Sequence, residues 1–473
     1  MSPSDRMKHI YVVGKTGSGK TNLMKRIARQ DIAQGKGCVV ISPHADLINF
    51  LVDSAGDRAD DIILLDFGDK NYVPQMNPLA VDVSSDAEYA RAAEQLTDLV
   101  SGLSYHEFTG PVFHDAVRTA LQTAALPEIR GDRDPNIAVA VEIVRDSALR
   151  GWAAKIARNS RRDLELDLSR VADLRASERS EYERWVTAKF DSFAVNGPLR
   201  SVTSTAGGCP LSFKEIYRNQ KVLLVHLPDT YLGGNSAELI GRFIFERLYQ
   251  EARQTQATSR KDFYIHVDEF QRFVNRDLEI LVTEARKFKM GLTFAHQNLR
   301  QLHAFSRFEG TASPRLAEAI FSNVGTLIAM RTSGSDVGTI AAELEVREQH
   351  VRRIGQYEAL ARPSLAGAEQ RTCTLRVPLE SVPANRKVRA ELRKRMIREG
   401  YWASRTTVER GLESHFAALR ESVDGSPQRR KLPASSSKSG NQKSFLDEWL
   451  EKRKSKSAGS GDQTTDDSKG ISA

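Results

Sequence analysis

Hydrophobic and polar positions divide the chain into stretches of different period. Near the start, the apolar run His9–Val13 enters a glycine-rich turn and then a helical pattern over Thr21–Gln34. Short apolar runs follow at Cys38–Ile41 and Ile62–Asp66, with helix-compatible sequence over Ala45–Val52 between them. Strands alternating with helices predict a parallel sheet. The alternation stops after Asn77-Pro78. From about Ser85 to Phe193 apolar residues recur at helical spacing, as with Leu96 and Val100 or Val117 and Leu121, with breakers around Pro127–Pro135. Strand-like runs resume at Lys221–Leu227 and continue at Phe263–Val267, Gly291–Ala295 and Leu327–Met330. Thr372–Val377 alternates as an edge strand would. The pattern predicts an α/β domain with a mostly parallel central sheet, interrupted by an all-α insertion.

These shifts set the expected boundaries. The α/β domain occupies 1–84 and 201–380, the helical insertion 85–200, and a basic helical extension 381–425. From 426 to 473 Ser, Lys, Gly and Asp dominate, the composition of a disordered tail. An amphipathic island at 444–453 interrupts it, with Phe445, Trp449 and Leu450 on one helical face.

Composition narrows the class. The 473 residues are 40% hydrophobic and 27% charged, as in a soluble globular protein of two or three domains. The three cysteines, Cys38, Cys209 and Cys373, include no CxxC pair, which argues against a disulfide scaffold or zinc module. No apolar run approaches the ~18 residues of a membrane span, and the start lacks the apolar core of a signal peptide. A cytoplasmic protein is expected. Lys and Arg exceed Asp and Glu by 69 to 61, a net charge of +8 that hints only weakly at nucleic acid.

The strongest chemical signal is the segment Gly14-Lys15-Thr16-Gly17-Ser18-Gly19-Lys20-Thr21, which fits G-x-x-x-x-G-K-[ST] between a strand and a helix. Its glycines let successive amide N–H groups turn toward phosphates, and the helix N-terminus adds its dipole. In that reading Lys20 bridges the β- and γ-phosphates of ATP, and Thr21 offers its hydroxyl to Mg2+. A second signal is Asp268-Glu269, directly after the strand-like run Phe263–Val267. Asp268 is expected to face the metal, and Glu269 to activate water for in-line attack. The next strand ends in His296-Gln297, where Gln297 lies on the ligand side of such a sheet and suits a γ-phosphate sensor; His296 reads as structural.

Together the residues resemble the HerA/FtsK superfamily of ring-forming DNA-pumping ATPases, most nearly the TraG/TraD type of conjugative coupling protein. The resemblance rests on His9–Thr21 with Gly37–Leu47, on Asp66-Phe67-Gly68-Asp69 with Met76-Asn77-Pro78-Leu79, and on Lys221–Pro228 with Gly233 and Gly241-Arg242-Phe243. It continues through Asp268-Glu269-Phe270, Glu284–Phe288 and Ala295-His296-Gln297 to Ser322–Thr326 and Arg331. It implies a RecA-like P-loop NTPase fold, ATP and Mg2+ as cofactors, and a homo-oligomeric ring, commonly a hexamer, with ATP at subunit interfaces. An arginine of the neighbouring subunit would complete each catalytic site; Arg331 and Arg286 match the motif positions, and Arg331 is the favoured of the two. It also implies DNA as partner, with a relaxase or type IV secretion components. Two departures stand out. Ser42 replaces the acidic residue usual before Pro43, and the phosphate loop begins at Gly14, so any hold on the inner membrane is expected through a partner.

For DNA, Arg386–Arg405 holds eight basic residues opposed only by Glu391 and Glu399. Arg389, Arg393, Lys394 and Arg395 are the candidate phosphate contacts. The expected function is a DNA-translocating coupling ATPase. The alternatives are a HerA-like DNA-end-processing motor and a nucleotide-switched adaptor that recruits a relaxase or effector.

Overall fold

Val12, Val13, Val39, Val40, Ile41, Leu223, Leu224, Val225 and Ile265 are all fully buried. Near-continuous apolar runs of this kind belong to strands covered on both faces, as parallel sheets require. The computed structural model describes residues 1–80, 86–101, 111–193, 197–205, 210–273, 282–299, 315–332 and 334–425. In chain order its strands begin with β1 (Ile10–Val13), β2 (Gly37–Ser42), β3 (Ile62–Asp66), β4 (Tyr72–Pro74), β5 (Val222–His226) and β6 (Phe263–Val267). They continue with β7 (Met290–His296), β8 (Thr326–Met330), β9 (Glu358–Arg362), β10 (Ser364–Leu365), β11 (Ala368–Glu369), β12 (Cys373–Arg376) and β13 (Trp402–Ser404).

Nine of them form one sheet in the order β12-β9-β8-β1-β7-β6-β2-β5-β3. From β8 to β3 neighbours pair in parallel, while β9 and β12 close one edge antiparallel. The expected edge strand at Thr372–Val377 is β12. Its partner β9 escaped the sequence pattern because its inward positions are the small residues Ala359 and Ala361, between charged Glu358 and Arg362. Parallel pairing brings the carboxyl ends of β1, β2, β5, β6, β7 and β8 to one rim, where open α/β sheets bind ligands.

The described residues between Asp86 and Thr203 form helices and their connections, with no strand among them. Asn136 and Asp146 cap successive helices, Asn136 accepting from the Ala138 amide and Asp146 from those of Ala148 and Leu149. Leu96, Val100, Val117 and Leu121 are buried, and Phe113 meets Trp185 edge to face at 5.7 Å. Among the described residues no helix is long and apolar enough to cross a membrane. Cys209 and the 444–453 island lie outside the described residues.

The basic extension is fastened to the rest of the chain. The helix Arg386–Arg398 lies against the α/β body, β13 pairs antiparallel with β4, and the helix Arg405–Asp424 crosses to the insertion. There His415 hydrogen-bonds the Ile129 carbonyl at 2.8 Å, and Glu409 accepts from Ser201 Oγ at 2.9 Å. The arginines expected to meet DNA hold this arrangement together. Arg389 Nε donates to Asp53 Oδ1 at 2.7 Å, and Arg393 pairs with Asp69. Arg395 reaches Asp60 at 2.9 Å and the carbonyls of Ala59 and Ile62. Lys394 is solvent-exposed and lies near Glu391. Three of the four candidate side chains, Arg389, Arg393 and Arg395, pair with carboxylates of the body, which run count and spacing alone do not reveal.

The Asp53 side chain is 3% exposed and that of Arg389 35%. Removing the arginine strands a buried carboxylate, a larger loss than that of a surface pair. Arg389→Ala is expected to cost about 1–2 kcal/mol, lowering the thermal midpoint by roughly 2–6 °C. Adding Asp53→Ala should recover part of that loss in the same melting experiment.

Candidate nucleotide-binding site

β1 ends at Val13, and the chain turns through Gly14–Gly19 into the helix Lys20–Ala33. Sterics explain two glycines. A Cβ at Gly14 would lie 2.8 Å from Met330 Cβ and 2.9 Å from Ser18 Oγ. Gly19 has φ +114°, and a Cβ there would sit 2.9 Å from the Tyr357 ring. The loop is tied to both neighbouring strands, Gly14 N–H donating to the His296 carbonyl at 3.1 Å and Lys15 N–H to the Arg331 carbonyl at 2.7 Å. Tyr357 N–H donates to the Ser18 carbonyl at 3.1 Å, so the segment before β9 braces the loop from the third side.

Lys20 is buried, and its Nζ donates to the carbonyls of Gly14 at 2.7 Å and Lys15 at 3.2 Å. Burial pulls its pKa down, while the charges of Glu269 and Asp268 oppose the shift. The charges of the acidic pair are therefore felt at the lysine, as expected where β1 and β6 end at one rim. Asp268 is fully buried; its amide donates to the Ile41 carbonyl at 2.9 Å, and its Oδ2 lies 3.3 Å from Ser42 Oγ. Burial pushes the Asp268 pKa up and the Glu269 charge adds to this, while His44, Lys20 and Ser42 oppose it.

Glu269 adopts φ +53°, in the left-handed region that a side-chain-bearing residue enters at a cost of about 1 kcal/mol or more. Both its oxygens are held by amides. Gln297 Nε2 donates to Oε1 at 2.9 Å, and Gln271 Nε2 to Oε2 at 2.6 Å. Gln297 thus joins Glu269 as its position at the end of β7 suggests. Gln271 and the Ser42 hydroxyl are additions: the first stands two residues past Glu269 in a segment read only for its acids, the second where the family pattern has a carboxylate. His296 is structural in this fold, its Nδ1 2.7 Å from the Tyr11 hydroxyl and its pKa lowered to about 4 by burial.

The two candidate arginines separate. Arg331 is exposed and follows β8, with its own carbonyl bound to the phosphate loop of the same chain. Arg286, also exposed, precedes β7, at the opposite end of the strand from Gln297. Seven strand residues separate the two ends by roughly 20 Å. Arg286 therefore lies at the far end of β7 from Gln297 and the phosphate loop.

The donor set fits a nucleotide with its metal: loop amides and a buried ammonium on one side, and a buried carboxylate relieved by a cation on the other. A parallel sheet with this loop after β1 and an Asp-Glu pair after β6 defines a RecA-like P-loop NTPase fold interrupted by an all-α insertion. Residues 4–84 match the family model for the central domain of helicase HerA. Among solved structures, plasmid coupling protein TrwB with a non-hydrolysable ATP analogue matches at TM-score 0.58 and 15% identity, over 81% of this chain and 88% of that one. TrwB in complex with ADP and Mg2+ gives 0.55 and 14%, over 81% and 88%. The unbound conjugative coupling protein TrwBdeltaN70 gives 0.56 and 15%, over 81% and 87%. No curated protein matches by sequence. The fold is that of the TrwB structures, a RecA-like P-loop NTPase fold.

Proposed function

We propose that the protein hydrolyses ATP and uses the energy to move DNA, as a ring-shaped coupling ATPase of conjugative type IV transfer. The observation that carries the reading is the convergence of Lys20, Asp268 and a doubly held Glu269 at one rim of a TrwB-like sheet. In this reading the amides of Gly14–Thr21 and Lys20 hold the phosphates. Thr21 and Asp268 would hold Mg2+, which neutralises phosphate charge when bound. Glu269 accepts the proton of the attacking water, and Gln297 senses the γ-phosphate. Arg286 or Arg331 completes the site across the ring interface, and the opposite-end placement of Arg286 favours it for that role. A relaxase or secretion component would be the partner, with Arg389, Arg393, Lys394 and Arg395 as candidate DNA contacts, three of which would have to exchange a carboxylate of the body for phosphate. The domain limits 1–84, 85–200 and 201–380 belong to the same proposal.

The match of residues 4–84 to the HerA central domain favours one second reading, a DNA-end-processing motor that works beside a nuclease. Co-purification of a nuclease rather than a relaxase would select it. For either motor, DNA should raise ATP turnover several-fold, and the stimulation should fall steeply with salt as counterion release dictates. A steady-state ATPase assay with and without DNA, from about 50 to 200 mM salt, checks this. Turnover that ignores DNA at low salt would overturn translocation and favour the adaptor.

A further inference from the structure

The Glu269 carboxylate is held from two directions, and only one of the two holders sits at a strand end. Gln271 is buried, and its amide nitrogen lies 2.6 Å from Glu269 Oε2. A carboxylate only accepts, so the NH2 group must face Glu269, which fixes the orientation of the Gln271 amide. The consequence is that Gln271 Oε1 is buried with no hydrogen-bond partner among the described residues. A buried amide oxygen left unpaired costs on the order of 1–3 kcal/mol, a cost accepted here to keep the NH2 group on Glu269. Gln297 differs: it is half-buried at the end of β7, and its contact is with the other oxygen, Oε1.

We propose that Gln271 is a positioning residue for hydrolysis, which keeps Glu269 aimed after Gln297 leaves for the γ-phosphate. The inference rests on the reading of Glu269 as the base. The two amides then have different fates. Before the γ-phosphate arrives, both Glu269 oxygens carry an amide donor, and the carboxylate is blunted as an acceptor. When Gln297 turns to the γ-phosphate, Oε1 of Glu269 is freed while Oε2 stays fixed by Gln271. The attacking water then has a free acceptor for its proton. One O–H gives its proton to Glu269 Oε1 as the new O–P bond forms and the bond from Pγ to the bridging oxygen breaks, with that electron pair leaving on ADP. The left-handed φ of Glu269 belongs to the same arrangement, since it turns the carboxylate back toward residue 271.

The test compares Gln271→Ala and the isosteric Gln271→Glu with the unaltered full-length protein. Single-turnover ATP hydrolysis is measured beside binding of a fluorescent ATP analogue. Both variants should lose about tenfold to a hundredfold in kcat, the scale of a misaligned reacting group, with nucleotide Kd changed less than about twofold. In a Glu269→Gln background, Gln271→Ala should produce no further loss, because its action passes through Glu269. Full turnover in both Gln271 variants overturns the inference, as does an added loss in that background, which would mark a merely structural role. Failure of the unaltered protein to hydrolyse bound ATP would overturn the proposed function itself, a separate outcome.

Discussion

Lys20→Ala abolishes ATP turnover and weakens nucleotide binding in the same variant. The ammonium is buried, donates to two loop carbonyls, and lies in the field of two carboxylates. Burial lowers the pKa of a lone lysine, and the adjacent carboxylates oppose that loss of charge. When a triphosphate enters, Nζ has to exchange the Gly14 and Lys15 carbonyls for phosphate oxygens. Alanine supplies neither the donor nor the charge, and leaves those carbonyls without it. Loss of one preorganised donor to developing charge costs on the order of 10²–10³ in rate, and here a full charge goes with it. The expected result is a fall in turnover of at least about a thousandfold. A fluorescent-nucleotide titration should show weaker binding, with a thermal melt close to that of the unaltered protein. Turnover within tenfold of the unaltered protein would remove Lys20 from the site.

How much of this was legible in the sequence follows from where each signal resides. β1, β2, β3, β5, β6, β7 and β8 are short runs of large apolar residues, and burial on both faces writes such strands openly into the chain. β9 alternates alanines with charges, so its membership depends on its neighbours β8 and β12. Lys20, Asp268, Glu269 and Gln297 were legible because strand ends in a parallel sheet share one rim, which turns order along the chain into proximity. Gln271 obeys no such rule: it is brought to Glu269 by a short 3-10 turn over Phe270–Phe273. The basic helix marks the other limit. A run of arginines is visible in sequence, whereas Asp53, Asp60 and Asp69, which receive three of them, lie more than three hundred residues away. What the excess charge encodes in those three side chains is attachment of the C-terminal extension to the α/β body. That attachment matters to function, because the next helix continues to the insertion and contacts it at Ile129. The β2–β3 region is therefore joined to the helical insertion through these ion pairs and the chain that follows them.

Glu269→Gln should separate binding from chemistry. The substitution keeps the size of the side chain and removes the base, so phosphates still meet the Gly14–Thr21 loop and Lys20. General-base contributions run to about 10²–10⁴ in rate, and a loss of that size in single-turnover hydrolysis is expected, with ATP Kd unchanged within about threefold. The local hydrogen bonds sharpen the prediction. Glu269 accepts from Gln297 at Oε1 and from Gln271 at Oε2, and a glutamine at 269 has only one acceptor oxygen for two donors. One amide must turn away or face another NH2 group, so some misalignment is added to the missing base. Glu269→Asp separates the two contributions. It retains a carboxylate able to take the proton but shortens the reach to both amides, so it should fall between the unaltered protein and the glutamine variant. If Glu269→Gln turns over ATP normally, water activation belongs to another residue, and the amide pair at 271 and 297 would hold a structural carboxylate. If Glu269→Asp is as slow as Glu269→Gln while both bind ATP, reach rather than charge limits the step, and the two-amide hold on the carboxylate is what sets the rate.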